Sequence, residues 1–218
     1  LDSDSMRSAA DYFDALSRFG RGEVRMLLGT QMIAKGLDFP GVKLVGVIDA
    51  DTSLSICDFR AEERTFQLLS QVAGRAGRAD DSGVVIIQTN NPQLGAVQLA
   101  ARHDYPTFAA TELDMRTQAQ LPPVTRMARV VSRDEDQDRA SKAATEIAAF
   151  LREAGPDVSV RGPAPCTISR GAGFYRFEVV IIAPSAGRIQ SVLSAARAQG
   201  LVKSDAATAV DVDPLVLA

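Results

Sequence analysis

Two short glycine-rich segments carry the side chains whose types and spacing best suit phosphate chemistry. The first, GTQMIAKGLDFP over residues 29–40, directly follows an apolar run at residues 24–28. The second, QVAGRAGR over residues 71–78, places two arginines three positions apart with small residues between them. A planar guanidinium can donate paired hydrogen bonds to a phosphoryl group and neutralise the charge that builds on it. The two segments together predict a phosphate-binding edge.

Each segment alone also has a simpler interpretation. A strand followed by Gly-Thr is a common loop, and Gly-Arg-Ala-Gly-Arg can end a helix with solvated charges. The order of the segments, with one predicted βα crossover between them, favours ligand binding. Gly29 and Gly36 let the backbone approach a ligand closely. Thr30 and Gln31 can donate to a phosphate or sugar oxygen, and Asp38 can accept from ribose hydroxyls.

The elements that must position these segments alternate between helix and strand. The apolar spacing predicts helices over residues 4–19 and 60–73, with strands over residues 24–28, 42–48 and 83–88. This alternation is typical of a parallel sheet with helices on its faces. Such sheets bind ligands at the carboxyl ends of their strands, which is where the first segment falls.

A second unit is predicted after Pro122 and Pro123, which cannot continue a helix. A helical stretch over residues 92–120, broken near residues 104–106, leads into these prolines. Beyond them the pattern predicts the order β-α-β-β-α-β, with strands over residues 126–133, 158–161, 175–183 and 209–213 and helices over residues 137–153 and 186–198. We expect three parts: an α/β lobe, a helical linker and a small α+β domain, over residues 1–91, 92–123 and 124–218.

The composition is that of an ordinary globular protein. Hydrophobic residues make up 46% of the chain, charged residues 23%, and the net charge is −3, so any nucleic-acid contact must come from a local basic cluster. Cys57 and Cys166 are far apart and form no CxxC, which predicts neither a zinc site nor a disulfide framework and fits a reducing compartment. The longest apolar run, residues 177–184, is too short to cross a bilayer.

A candidate basic cluster lies at residues 169–176 of the second unit. Glycines there separate two arginines and two aromatic residues, and we expect all four on one loop: Arg170, Phe174, Tyr175 and Arg176. Aromatic rings combined with arginine suit the stacking of single-stranded nucleic acid. The alternative is that Phe174 or Tyr175 packs in the core where its strand begins.

In combination, these segments resemble a known family. GTQMIAKGLDFP resembles motif V and QVAGRAGR resembles motif VI of superfamily 2 helicases, the signatures of the second RecA-like lobe. Four further segments narrow the resemblance to the PriA family of replication-restart DNA helicases (primosomal protein N'): VIDAD at 47–51, DFRAEERTFQLLSQVAGRAGR at 58–78, GPAPCTISRGAGFYRFEVVI at 162–181 and VDVDP at 210–214. The resemblance extends from about residue 4 to residue 214.

The resemblance implies a fold and a set of site residues. The fold is a partial RecA-like second helicase lobe over residues 1–91, followed by a DNA-binding α+β domain over residues 124–218. Arg78 would be the arginine finger, Arg75 would approach the γ-phosphate, and Gln71 would order the attacking water or the arginines. The residues implied in nucleotide binding are Gly36, Asp38, Arg75 and Arg78. Those implied in DNA contact are Thr30, Gln31, Lys35, Arg170, Phe174, Tyr175 and Arg176.

The resemblance also implies an activity. The family consists of ATP-dependent 3′→5′ DNA helicases that remodel stalled replication forks and start primosome assembly. The implied cofactors are ATP and Mg²⁺. The implied partners are forked or single-stranded DNA, single-strand-binding protein and primosome proteins. The implied location is the bacterial cytoplasm, associated with the nucleoid and with no membrane.

The departures from the family pattern lead to a further expectation. Residues 1–218 contain no GxxxxGK[ST] loop and none of the family's zinc-binding cysteines, and the predicted α/β lobe over residues 1–91 contains no DExx box. We therefore interpret the chain as a C-terminal fragment and expect these features, with Zn²⁺, upstream of Leu1. The chain alone is expected not to hydrolyse ATP, because it lacks the phosphate cradle and the magnesium ligands.

Two other interpretations stay open. Motifs V and VI alone would also fit another superfamily 2 enzyme, such as an RNA helicase or a repair translocase, although the β-α-β-β-α-β tail ending in VDVDP counts against it. The alternative from a different class is a non-catalytic module that binds nucleic acid.

Overall fold

The computed structural model describes residues 8–30, 39, 41–55, 58–74, 83–203 and 205–215. In these ranges the chain forms six helices and six strands: α1 (Ala9–Gly20), β1 (Leu44–Val47), α2 (Ala61–Ala73), β2 (Val84–Ile87), α3 (Gly95–Ala101), α4 (Tyr105–Gln118), β3 (Arg126–Asp134), α5 (Gln137–Ala154), β4 (Ser159–Gly171), β5 (Phe174–Ala183), α6 (Ala186–Ala198) and β6 (Thr208–Val212). They fall into two compact units, the first comprising residues 1–56 and 60–109 and the second residues 57–59 and 110–218.

The first unit is built on a short parallel sheet, as the sequence predicts. Strands β1 and β2 pair in parallel from Leu44↔Val84 to Val47↔Ile87. Their buried neighbours come from α2, α3 and the first turns of α4, where the rings of Phe66 and Phe108 stack with centroids 4.1 Å apart. The break predicted near residues 104–106 is confirmed, because α3 ends at Ala101 and α4 begins at Tyr105.

The strand predicted over residues 24–28 is wrong. The chain there is irregular, and Met26 and Leu28 are 70% and 66% exposed. An apolar run becomes a strand only where a neighbouring strand pairs with it. Among the described residues the parallel sheet contains β1 and β2 and does not extend to this segment.

Asp51 links the chain after β1 to the chain after β2. The Asn90 N–H donates to one carboxylate oxygen at 2.6 Å, and the Thr89 hydroxyl donates to the other at 2.7 Å. These two hydrogen bonds, that of Asn90 first, hold the pKa of the Asp51 carboxyl below its usual value. The carboxylate therefore connects the two segments that follow the parallel strands through hydrogen bonds.

The second unit is a four-stranded antiparallel sheet with two helices on one face. The strand order is β4-β5-β3-β6, and every neighbouring pair is antiparallel. The predicted order β-α-β-β-α-β is confirmed, and it forms a split β-α-β arrangement. Helices α5 and α6 pack on the sheet through a fully buried cluster that includes Val130, Ile147, Leu151, Val179, Ile181, Ile189 and Leu193.

Local sequence signals explain where the two helices begin. The Asp136 carboxylate accepts from the Arg139 N–H at 3.0 Å and caps α5, and the Ser185 hydroxyl caps α6 through the Arg188 N–H. Apolar residues then recur at three-and-four spacing along α5, at Ala140, Ala144, Ile147, Ala148 and Leu151, and all are buried.

Strand β4 is much longer than predicted. The sequence predicts a strand over residues 158–161, whereas β4 runs for thirteen residues, from Ser159 to Gly171. Its register against β5 shifts between Arg161 and Ala164 and again between Pro165 and Arg170. Prolines and register shifts are tolerated here because β4 is at the edge of the sheet, but they remove the alternation that marks a strand in sequence.

The second unit also contains a buried ion pair on α4. Arg116 donates to Glu112 at 2.6 Å, and their side chains are only 10% and 9% exposed. The Arg116 guanidinium also lies over the Phe59 ring, 5.1 Å from its centroid. Together these contacts neutralise and cover a charge that burial would otherwise penalise.

We predict that Asp51→Asn destabilises the protein near neutral pH and that the effect disappears in acid. A carboxyl whose folded pKa lies below its unfolded pKa of about 3.9 contributes stability above that value and loses it as the pH falls through the folded pKa. The difference in thermal unfolding midpoint between wild type and variant should therefore be largest at neutral pH and shrink below about pH 4. Circular dichroism melts over this pH range measure it.

Asp138→Asn is the matched control, since Asp138 is exposed in the first turn of α5. It should shift the midpoint far less than Asp51→Asn at neutral pH. Equal midpoints for wild type and Asp51→Asn at neutral pH would contradict the role assigned to Asp51.

Candidate nucleic-acid interface

Residues 169–176 do not form the predicted loop. They are the end of the β4–β5 hairpin, in which Arg170 pairs with Tyr175 and Gly171 with Phe174. Only Ala172 and Gly173 lie in the turn, and both have positive φ, at 52° and 86°. Two successive positive φ values are typical of a type I′ turn, whose twist matches that of the flanking strands. The tight turn gives the four predicted side chains fixed places on two strands.

One face of the hairpin carries Arg170 and Tyr175. The Arg170 guanidinium carbon is 4.9 Å from the centroid of the Tyr175 ring, a cation–π contact. Arg170 is exposed and Tyr175 is half-buried. Because side chains alternate along β5, Tyr175 is on the same face as Val179 and Ile181, which pack against the helices.

The opposite face carries Phe174 and Arg176, both half-buried. The Arg176 guanidinium lies over Gly171, where an added Cβ would come within 3.0 Å of Nη2. The absence of a side chain at Gly171 therefore makes room for this arginine. The structure separates the predicted cluster into two pairs on opposite faces, each with one arginine and one aromatic ring.

The predicted nucleotide-side residues are only partly described. Gln71 is exposed in the last turn of α2, and Thr30 is exposed in the irregular chain that follows residues 24–28. The other six predicted residues lie outside the described ranges: Gln31, Lys35, Gly36, Asp38, Arg75 and Arg78. The roles predicted for these residues stay predictions.

Sequence reasoning missed Arg133. This residue lies on β3, directly opposite Arg176 in the antiparallel ladder. The sequence shows only an arginine near the end of a predicted strand, because cross-strand neighbours become visible once the register is known.

The described residues contain no group of three or more His, Cys, Asp or Glu side chains that could hold a metal ion. Cys166 is buried on β4, and burial, followed by the negative charge of Glu178, raises the pKa of its thiol. A raised pKa keeps the thiol protonated and poorly nucleophilic. None of the described helices is long and apolar enough to cross a membrane.

Each of the two units contains a match to a known protein family. Residues 3–80 match the family model of the helicase conserved C-terminal domain, and residues 117–215 match that of the primosomal protein N C-terminal domain. The replication restart protein PriA of Bacillus subtilis (strain 168) is 46% identical over 182 residues, which are 83% of this chain and 23% of that protein. PriA of Treponema pallidum (strain Nichols) is 41% identical over 216 residues, which are 99% of this chain and 33% of that protein.

These matches define the class of the chain, a RecA-like domain of the helicase C-terminal type followed by a primosomal protein N C-terminal domain. At this identity and coverage the chain belongs to the PriA family of replication restart proteins. The chain spans about a quarter to a third of the length of these curated relatives.

We predict that Ala172→Asn stabilises the second unit. Alanine at a φ of 52° is strained, whereas asparagine tolerates the left-handed region and would create the Asn-Gly pair preferred in type I′ turns. The expected gain is about 1 kcal/mol in the free energy of unfolding. It would be measured from the urea unfolding curve.

Ala172→Val is the opposing control. A β-branched residue at positive φ is a steric outlier, so this variant should be less stable than wild type. If Asn and Val changed stability in the same direction, the turn geometry assigned to Ala172 and Gly173 would be wrong.

Proposed function

We propose that this chain is part of an ATP-dependent 3′→5′ DNA helicase that remodels stalled replication forks and starts primosome assembly. The observation that carries the proposal is the order of two family matches on one chain. A helicase C-terminal domain over residues 3–80 is followed by a primosomal C-terminal domain over residues 117–215. The second match favours a replication-restart enzyme over an RNA helicase or a repair translocase.

In this proposal the first unit completes a nucleotide site. Arg78 is the arginine finger, Arg75 approaches the γ-phosphate, and Gln71 orders the attacking water or the arginines. Gly36 and Asp38 complete the nucleotide contacts. Guanidinium groups suit this task because they neutralise the charge that develops on the transferred phosphoryl group.

The nucleotide and its Mg²⁺ would also need a phosphate cradle. Residues 1–218 contain no GxxxxGK[ST] sequence, so we propose that this chain cannot hydrolyse ATP without a first lobe. A structural Zn²⁺ likewise belongs, in this proposal, to a region outside residues 1–218.

The DNA contacts are proposed to lie in both units. Thr30, Gln31 and Lys35 contact the DNA backbone from the segment after residues 24–28. On the second unit, Arg170 with Tyr175 and Phe174 with Arg176 hold a strand at the tip of the hairpin. Each pair combines a cation with a ring, the chemistry of sequence-tolerant single-strand binding.

The proposed organisation assigns residues 1–91 to the RecA-like lobe, 92–123 to a helical linker and 124–218 to the DNA-binding domain. Helix α4 runs across the boundary between the two compact units, which lies after Ala109. We also propose single-strand-binding protein and primosome proteins as partners, in a cytoplasmic, nucleoid-associated setting.

A non-catalytic DNA-binding role is the second candidate. The hairpin contacts favour it, because they lie wholly within the described second unit and require no nucleotide. The two candidates differ in one measurable respect, since only the helicase couples DNA binding to ATP hydrolysis.

We predict that Arg78→Ala, made in the full product of the gene, lowers DNA-stimulated ATP hydrolysis by roughly 10³-fold or more. DNA affinity should change little, because the proposed role of Arg78 is at the nucleotide. A coupled phosphate-release assay with forked DNA measures the rate, and fluorescence anisotropy measures the affinity.

Arg102→Ala is the matched control, because Arg102 is an exposed arginine of the same unit that follows α3. It should retain the wild-type rate. Hydrolysis by Arg78→Ala within a few-fold of wild type would remove Arg78 from the proposed mechanism. A wild-type protein that binds forked DNA without hydrolysing ATP would favour the non-catalytic candidate.

A further inference from the structure

Arg133 and Arg176 are opposite each other on the two central strands of the antiparallel sheet, near its hairpin end. They are register partners on β3 and β5, and both are half-buried. Ala128 and Val130 on β3, with Val179 and Ile181 on β5, are buried against the helices. Because side chains alternate along a strand, the Cβ atoms of Arg133 and Arg176 are on the other face of the sheet, and Arg133 also borders a cavity that is lined by Ala143 and Glu146 of α5.

Like charges directly opposite each other destabilise a sheet. The two side chains lessen this repulsion by turning apart. The Arg133 Nε donates to the Ala206 carbonyl oxygen beside β6, whereas the Arg176 guanidinium lies over Gly171 on β4. Neither contact supplies a negative charge.

The other two arginines on β3 are neutralised. Arg129 Nε is 2.6 Å from a Glu178 oxygen, and Arg126 Nη1 is 3.2 Å from an Asp213 oxygen. Within the described part of the chain, Arg133 and Arg176 have no carboxylate partner.

The acidic residues nearest to Arg133 and Arg176 along β3 and β5 already pair with other arginines. Glu178, two residues beyond Arg176, is held by Arg129. Asp134, next to Arg133 on the chain, accepts from Arg139 at 2.8 Å and from the Asp136 N–H at 2.9 Å. The sheet therefore carries two adjacent positive charges that its own carboxylates do not neutralise.

We propose that Arg133 and Arg176 form a phosphate-binding pair for a single DNA strand on the open face of the sheet, a site that rests on the proposed DNA-binding function. Phe174 is two residues from Arg176 on the same face and provides a ring for a base. Phosphates that lie over the two arginines would offset the repulsion between them. Partial burial strengthens these charge-assisted contacts relative to fully solvated arginines.

The test is the salt dependence of binding to a fluorescent oligothymidylate, measured by anisotropy without ATP. Each lost phosphate contact on a single strand reduces the slope of log K against log salt by about 0.7. Arg133→Ala and Arg176→Ala should each reduce the slope by that amount and the affinity by about 10-fold. The double variant should lose about 1.4 in slope.

Three controls make the result specific. Arg197→Ala removes an exposed arginine of α6, on the helix side of the sheet, and should leave slope and affinity unchanged. Arg133→Lys and Arg176→Lys keep the charge and should keep most of the slope. Arg176→Ala should also melt no lower than wild type, because it removes a like-charge neighbour, so that weaker binding cannot be ascribed to unfolding.

An unchanged slope in the double alanine variant would overturn the proposal. If Arg170→Ala and Tyr175→Ala then weakened binding, the Arg170–Tyr175 pair alone would hold the strand, and the proposed helicase function would stand. Failure of the wild-type chain to bind the oligonucleotide would also overturn the site. The ATP hydrolysis of the full gene product would still decide the proposed function independently.

Discussion

The antiparallel register of β3 against β5 determines which side chains of the second unit can act together. Nine residue pairs, from Arg126↔Ala183 to Asp134↔Tyr175, fix this ladder. Val130, Val179 and Ile181 are at most 1% exposed beneath α5 and α6, so a slip of one residue would turn Arg129 and Glu178 into the core. Burying charged groups there would cost far more than the ladder gains. The packing of the helices therefore dictates the arrangement of arginines on the far side of the sheet.

The same register explains how positive charge is distributed over that face. Arg129 and Glu178 are diagonal neighbours on β3 and β5, only 15% and 19% exposed, and form an ion pair where solvent screening is weak. Towards the tip of the hairpin, Arg133 and Arg176 are opposite each other and have no carboxylate partner among the described residues. The least exposed of these arginines, Arg129, is thus neutralised, whereas Arg133 and Arg176 are left available to an anionic ligand.

The sequence predicts the elements whose signals are local, and fails where structure depends on distant partners. Helix α6 is predicted over residues 186–198 and runs from Ala186 to Ala198, because its cap and its apolar spacing lie within one segment. The length of β4 is not predicted, because an edge strand with prolines lacks the alternation of apolar and polar residues. The strand predicted over residues 24–28 is wrong, because an apolar run forms a strand only where a neighbouring strand pairs with it. The hairpin was missed because Ala-Gly is not the usual pair for its turn. Arg133 could not be recognised without the register, and the roles of Arg75 and Arg78 stay predictions because these residues lie outside the described ranges.

The net charge of −3 makes the placement of the arginines important for the proposed binding of DNA. At about 0.1 M salt, exposed charges more than about 10 Å apart are largely screened from one another. A strand of DNA held at the sheet would therefore be attracted by the few arginines nearest to it. The net negative charge of the chain would hardly affect it. Pairing Arg126, Arg129, Arg139 and Arg188 with carboxylates removes those cations from competition for phosphate. Arg133 and Arg176 at the hairpin end of the sheet have no such partner among the described residues, so in the proposed DNA-binding function a chain with an excess of acidic residues still offers phosphates a defined place.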